Sequence, residues 1–316
     1  MIELSAIREC AARVGPHVVR TPTIRYAGTA LGDDIDLLLK MELLQRTGSF
    51  KPRGALNVLL TMSDEEKRRG AAAFSAGNHA IAAAFAAQMA GVDLKIAMPA
   101  TANPFRVDKV RAFGAEIVFA DGMNELMTTV AELESEGRTM VHPFEGPRTV
   151  EGTGGVGLEL CEDVGDLDAV IVPVGGGGLI SGVASAVKQM QPSAQVFGVE
   201  PERANGMARS LDAGRPLPRI EVSSIADSLS APLHMPLTFG IVRECVDGMV
   251  AVSDDAMREA MRLAFTDLKL ALEPACAAGI AALQGPLASK LKGKRVAIVL
   301  CGSNIGIETW TDLAGS

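Results

Sequence analysis

The chain has 316 residues, 48% hydrophobic and 22% charged, enough for one large α/β domain or two lobes around a real core. Its net charge of −8 comes with no run of Lys or Arg, which argues against a nucleic-acid partner or an anionic membrane surface. Glu3, Arg8 and Glu9 stand where a secretory signal needs an apolar stretch, so the expected location is the cytoplasm. Five scattered cysteines (Cys10, Cys161, Cys245, Cys276, Cys301) without a C-x-x-C pair suit neither a disulfide framework nor a zinc site.

In chain order, short apolar runs predict strands over 35–40, 71–74, 94–98, 116–119, 169–174, 195–199 and 295–300. Helices are expected between them. The segment 63–69 opens with a capping box, Ser63 and Glu66. The runs 78–90 and 104–113 stop at Gly91 and Gly114, and 254–268 starts after Ser253. The uncharged stretch 169–187 is long enough to cross a bilayer, but Pro173 and four glycines inside it favour a buried strand, turn and helix. This alternation predicts an α/β fold: two lobes of mainly parallel, twisted sheet with helices on both faces. The strand–helix units of 68–142 form a compact set, expected as a small lobe inserted into a large one made of 1–62 and 147–316.

Three polar, glycine-bearing loops follow three of these strands: residues 75–79 (S-A-G-N-H), Gly175, Gly176, Gly177 and Gly178, and residues 301–304 (C-G-S-N). Ligands of open parallel sheets bind at the carboxyl ends of strands, so three such loops imply one shared site. Successive glycines ahead of a helix bring several backbone N–H groups to an anion beside the positive end of the dipole. A nucleotide-binding loop and a plain tight turn are the other readings of that segment. In S-F-K-P-R-G-A, residues 49–55, Lys51 lies among Phe50, Pro52 and apolar neighbours. Burial there favours the neutral amine, the form that attacks an aldehyde or takes a proton, although a surface lysine is the commoner fate.

These four segments in this order resemble the fold-type II pyridoxal-phosphate enzymes, in the branch of the serine/threonine dehydratases and serine racemases. The resemblance runs from Arg20-Thr21-Pro22 to Asn304. It implies pyridoxal 5′-phosphate as cofactor, Lys51 as its covalent anchor and as the base for the α-proton, and a cradle for the phosphate in Gly175, Gly176, Gly177 and Gly178. It further implies Asn78 at the cofactor's 3′-oxygen, Phe50 beside the ring, and Cys301 at the pyridine nitrogen. Ser75, Ala76, Gly77, Asn78 and His79 would meet the substrate carboxylate, with a purely structural histidine as the second reading of His79.

A neutral thiol leaves the ring nitrogen largely unprotonated, which favours elimination over transamination. The racemases of this branch carry a serine where this chain has Ala76, so no second acid/base is expected. In the branch's divalent-cation site, Glu200 and the carbonyl of Ala204 match but the remaining acid falls on Gly206, so no metal is expected. Glu273-Pro274 matches a stretch near the cofactor in relatives, though Glu273 reads equally well as a helix cap. Phe144 replaces a polar substrate contact of some relatives.

The implied activity is a homodimeric ammonia-lyase that converts a β-hydroxy amino acid, L-threonine or L-serine, to a 2-oxo acid and ammonia. Alternatives are a dehydratase of 3-hydroxyaspartate or 3-phenylserine, a serine racemase, a β-replacement enzyme and, outside this class, a nucleotide-binding α/β protein.

Overall fold

A computed structural model describes residues 1–316 apart from Thr29, Asp33 and Ser316, the last of which ends the expected large lobe and so lies outside the described residues. Its strands are β1 (Thr23–Arg25), β2 (Asp36–Lys40), β3 (Ala71–Phe74), β4 (Leu94–Pro99), β5 (Glu116–Ala120), β6 (Thr139–Met140), β7 (Ala169–Pro173), β8 (Gln195–Pro201), β9 (Gly248–Val252) and β10 (Arg295–Val299). They form a six-stranded sheet in the order β1-β2-β10-β7-β8-β9 and a four-stranded sheet in the order β5-β4-β3-β6. Every pairing is parallel except β1 with β2.

Parallel neighbours need crossover connections, which the helices supply, and so both faces of the large sheet are covered. That is why β7 reads Ala-Val-Ile-Val-Pro with no alternation: all five residues are buried. Val170 registers with Ala297 on one side and Val196 on the other, in the middle of the main core. The capping box at Ser63 forms as expected, and Gly91 closes the helix Asn78–Ala90 in the left-handed region (φ 64°).

Three strands have no counterpart in the sequence reading. β6 has two residues and β1 three, too short for a pattern, and β9 is a half-buried edge. The helix expected over 254–268 is regular only to Leu263. It then widens into a π turn, Ala264–Leu268, that ends at Lys269 (φ 61°), with the N–H of Leu270 returning to the carbonyl of Ala264 at 3.1 Å. Among the described residues no helix is long and apolar enough to cross a membrane.

A buried ionic cluster fixes the helix Pro52–Leu60, which starts directly after Lys51. Arg53 reaches both oxygens of Glu42 (2.8 Å each) and both oxygens of Glu159 (2.7 and 2.8 Å). Lys40, fully buried at the end of β2, donates to Glu159 at 2.8 Å and to the carbonyl of Thr21 at 2.7 Å. Every charge in the cluster thus has an opposite partner, which is the condition for tolerating charges out of water.

Candidate active site

Lys51 enters the site from a short crossing of chain segments. The Phe50 N–H donates to the carbonyl of Cys301 at 3.1 Å, and Ser49 bridges Gly302, so the lysine loop is tied to the loop after β10. Pro52 at the first helical position then starts the helix, as its fixed φ allows. The Lys51 Nζ donates to the carbonyl of Pro143 at 2.5 Å and lies 5.1 Å from the centroid of the Phe50 ring. Loss of water around the amine brings it down to about 8, against the opposing pull of Cys301 and Glu273. It is therefore a lysine poised to lose its proton near neutral pH.

Across from it, β7 runs into Gly175, Gly176, Gly177 and Gly178, and the helix Gly178–Met190 begins with no side-chain cap. Its first N–H groups are left for an anion. The glycines are required by close approach as well as by conformation. A Cβ on Gly176 would stand 2.2 Å from the Phe144 ring, and one on Gly177, at φ 92°, 2.7 Å from Cε of Met207. Such a backbone cradle accepts a phosphate and has no room for side chains.

The third wall is polar and held by side chains. Asn78 Nδ2 donates to Glu273 Oε1 at 2.7 Å, and Asn304 Nδ2 donates to Asn78 Oδ1 at 2.8 Å. Glu273 does not cap the helix Pro274–Gln284 that follows it. Its side chain turns to Asn78, and Oε2 is buried without a partner. Burial raises this carboxyl to about 7, partly countered by Arg106. The Cys301 thiol is held well above its ordinary value by a hydrogen bond with Cys276 and by burial, so it is neutral.

One cavity is lined by Phe50, Lys51, Asn78, the four glycines and Cys301, together with residues that sequence reasoning did not single out: Ser228, Leu229 and Ala275. Phe144 and Glu273, suggestive in the sequence, line it too. Ser228 and Leu229 sit on a single 3-10 turn, Asp227–Leu229, too short to leave a pattern in the sequence.

Ser75, Ala76 and Gly77 are half-buried beside this cavity and are not part of its wall. Ser75 Oγ accepts from the Gly77 N–H at 3.0 Å, shaping the turn. His79 is buried with Nε2 at 2.7 Å from the carbonyl of Val141, and burial followed by the charge of Lys51 lowers it to about 3. The structure thus gives His79 the place of a neutral, hydrogen-bonded structural histidine and not that of a cavity-wall group. Arg106, also missed, links the two sheets: it pairs with Asp227 at 2.5 Å and lies 3.3 Å from where a Cβ of Gly77 would be.

The cation site does not fit this chain. Both oxygens of Glu200 are taken by backbone N–H groups, Met207 at 2.7 Å and Ala208 at 2.9 Å. Ala204 is buried nearby, but a Cβ on Gly206 would fall 2.4 Å from Nε2 of His234, so there is no room for a carboxylate there. Among the described residues no group of three or more His, Cys, Asp or Glu is placed to hold a metal.

A lysine with a lowered pKa, a glycine cradle and a neutral thiol around one cavity are what a phosphorylated aldehyde requires. The family described as pyridoxal-phosphate-dependent enzymes matches residues 14–302. The chain belongs to that family, and its cofactor is pyridoxal phosphate. It is 47% identical to a phenylserine dehydratase of Ralstonia pickettii, over 98% of this chain and 95% of that protein. It is 39% identical to a catabolic L-threonine dehydratase of Escherichia coli, over 99% and 96%. Among solved structures, a maize serine racemase superposes with a TM-score of 0.92 at 34% identity, covering 99% of this chain and 97% of that one. The mainly parallel six-stranded and the parallel four-stranded sheet, flanked by helices, are therefore a fold-type II arrangement, as the sequence motifs implied.

Proposed function

We propose that this enzyme is a dehydratase of β-hydroxy amino acids, releasing a 2-oxo acid and ammonia. The observation that carries the reading is the set of acid–base groups at the cavity: Lys51 and Glu273 in its wall, a neutral Cys301, and beside it an alanine, Ala76, at the position where the racemases of this branch carry a serine. When bound, pyridoxal phosphate supplies the electron sink that acidifies the substrate's α-C–H. Lys51 holds the cofactor and, once freed, takes the α-proton. The β-hydroxyl leaves with the electron pair of the broken C–O bond and becomes water by taking up the proton that Lys51 removed, and hydrolysis of the resulting enamine gives the 2-oxo acid and ammonia. The four glycines would hold the phosphate on their N–H groups, Asn78 would serve the cofactor's 3′-oxygen, and Cys301, as a neutral thiol, would face the ring nitrogen.

Phe144 and Leu229 give the cavity apolar walls, which supports substrates with a methyl or phenyl group on the β-carbon. The reading thus ranks 3-phenylserine and L-threonine above L-serine, in keeping with the two dehydratases it resembles. Residues 75–78 receive the substrate carboxylate at the start of the helix Asn78–Ala90. The reading includes a small lobe of 68–142 inserted in a large one of 1–62 and 147–316, and a homodimer in the cytoplasm. Analytical ultracentrifugation tests the assembly. Ammonia release from a panel of L-threonine, L-serine, 3-phenylserine and 3-hydroxyaspartate tests the activity: release from none of them, by protein that holds the cofactor, removes this reading.

Serine racemisation is the second reading, raised by the maize structure. Ala76 speaks against it, since a methyl group exchanges no proton. D-serine as the main product from L-serine would reverse the order.

A further inference from the structure

The segment His142 to Gly146 carries the chain from β6 back toward the large sheet, and two consecutive residues of it touch the site. The Pro143 carbonyl accepts from Lys51 at 2.5 Å. The Phe144 ring lies against Gly176, and the Phe144 carbonyl lies 2.7 Å from where a Cβ of Gly178 would be. Glu145 reaches away from the cavity. Its Oε1 accepts from the Leu237 N–H at 2.8 Å, and its Oε2 from the Thr238 N–H at 3.2 Å and the Thr238 hydroxyl at 2.9 Å.

These donors are the opening N–H groups of the helix Pro236–Cys245, whose own N-cap residue, Met235, offers no side-chain cap. A carboxylate is the best partner for such orphan donors, by charge and by hydrogen bonding. The same helix turn supports the cradle from behind: Cβ of Thr238 is 3.2 Å from where a Cβ of Gly177 would lie. The near end of the segment is prearranged as well. His142 Nδ1 accepts from the N–H groups of Phe144 (3.3 Å) and Glu145 (2.9 Å), and the His142 and Phe144 rings meet edge to face at 4.6 Å.

We propose that Glu145 is a positioning residue for the cofactor. By clamping the crossover segment to the helix Pro236–Cys245, it fixes the front of the glycine cradle through Phe144, the back through Thr238, and the carbonyl that holds Lys51. The inference rests on the cofactor assignment and not on the choice of substrate, so its test reads cofactor retention. The substrate reading can fail in the ammonia assay while this one stands.

The experiment is equilibrium dialysis of the holoenzyme against dilute pyridoxal phosphate, with a pH titration of the visible cofactor band. Glu145→Ala should raise the cofactor's dissociation constant roughly tenfold to a hundredfold, the scale of a charge-assisted hydrogen-bond set, and move the pH midpoint of the band. Thr238→Val should raise it roughly threefold to tenfold. The double variant should be no worse than Glu145→Ala alone, because both changes cut the same link. Glu145→Gln, which keeps one acceptor oxygen, should fall between wild type and Glu145→Ala, and it carries the test if the alanine variant does not fold. A melting temperature that drops while retention and the pH midpoint stay at wild-type values would leave Glu145 a merely structural cap and overturn the proposal. So would independent, additive effects of Glu145→Ala and Thr238→Val.

Discussion

Residues 175–178 form their side of the cavity from backbone alone, whereas Asn78 and its partner Glu273 form the opposite side from side chains, with residues 75–77 beside them. The first is packed until no Cβ fits, with Phe144, Met207 and Thr238 all within contact of the glycines. The second is held by links that cross between the two sheets: Arg106 to Asp227, Lys109 to Asn304 at 2.8 Å, and Asn78 to Glu273. Backbone cradles suit a ligand group that never varies, such as a phosphate. Side-chain links can be remade one residue at a time, which suits the end where relatives differ in substrate.

The largest expected effect concerns the residue both sides serve. Lys51→Ala should lower turnover by at least about 10³-fold while the protein still folds, because the change removes chemistry and little core. Borohydride reduction followed by peptide mapping checks it, and cofactor fixed to a different lysine would break the assignment.

Next comes the crowded side. Gly176→Ala places a methyl group into the Phe144 ring and should cost about 1–3 kcal/mol of stability, with loss of cofactor retention. Adding Phe144→Ala should restore part of both. A single variant that binds cofactor normally would show that the loop gives way more easily than its packing implies.

The polar side should answer to pH. Glu273 has a folded-state value near 7, above its ordinary 4.5, so it binds its proton more tightly in the native state. Its contribution is fully present below pH 4.5 and is lost as pH rises through 7, on the order of 2–3 kcal/mol in all. The buried His79 and His142, lowered to about 3 and about 4, act in the opposite sense below 6.5. Comparison of wild type with Glu273→Gln by urea denaturation at pH 5 and pH 8 isolates the carboxyl. Wild type should lose more stability than the variant over that interval, and parallel curves would show that Glu273 does not carry the slope.

The smallest effect tests how freely the side-chain wall can change. Ala76→Ser adds one hydroxyl to a half-buried position and should leave elimination within about threefold, with a trace of D-serine formed from L-serine. Chiral chromatography measures it. A tenfold loss of elimination would mean that this wall is as constrained as the glycine side.

What could be read in the sequence follows the same division. The glycine run, Lys51 in its helix-starting motif and Asn78 at a helix start are local patterns, each declared within a few residues. Glu273 stood between two readings because a Glu-Pro pair before a helix fits a cap as well as a site. Only its contact with Asn78, 195 residues away, decides the matter. His79 was ambiguous for the same reason, its partner being the carbonyl of Val141. The seat of Phe144 on Gly176 and the reach of Glu145 to the helix Pro236–Cys245 depend on where the crossover lands, which no local pattern encodes. The widened turn at Ala264 escaped notice because the apolar face of its helix continues in register up to it.

The ionic cluster beneath the helix Pro52–Leu60 restricts how this enzyme can drift. Removing Glu159 alone leaves Lys40 with the Thr21 carbonyl and the more distant Asp163 at 3.7 Å and leaves one side of Arg53 unpaired, a loss of about 3–5 kcal/mol. That is a large fraction of the roughly 5–15 kcal/mol that holds a typical domain folded. Each single step away from the cluster is therefore steeply downhill, although an apolar replacement of the entire set is physically sound. Lineages can reach such a replacement only by several coordinated changes. Until then the helix that presents Lys51 is inherited as a block, and variation is left to the walls around it.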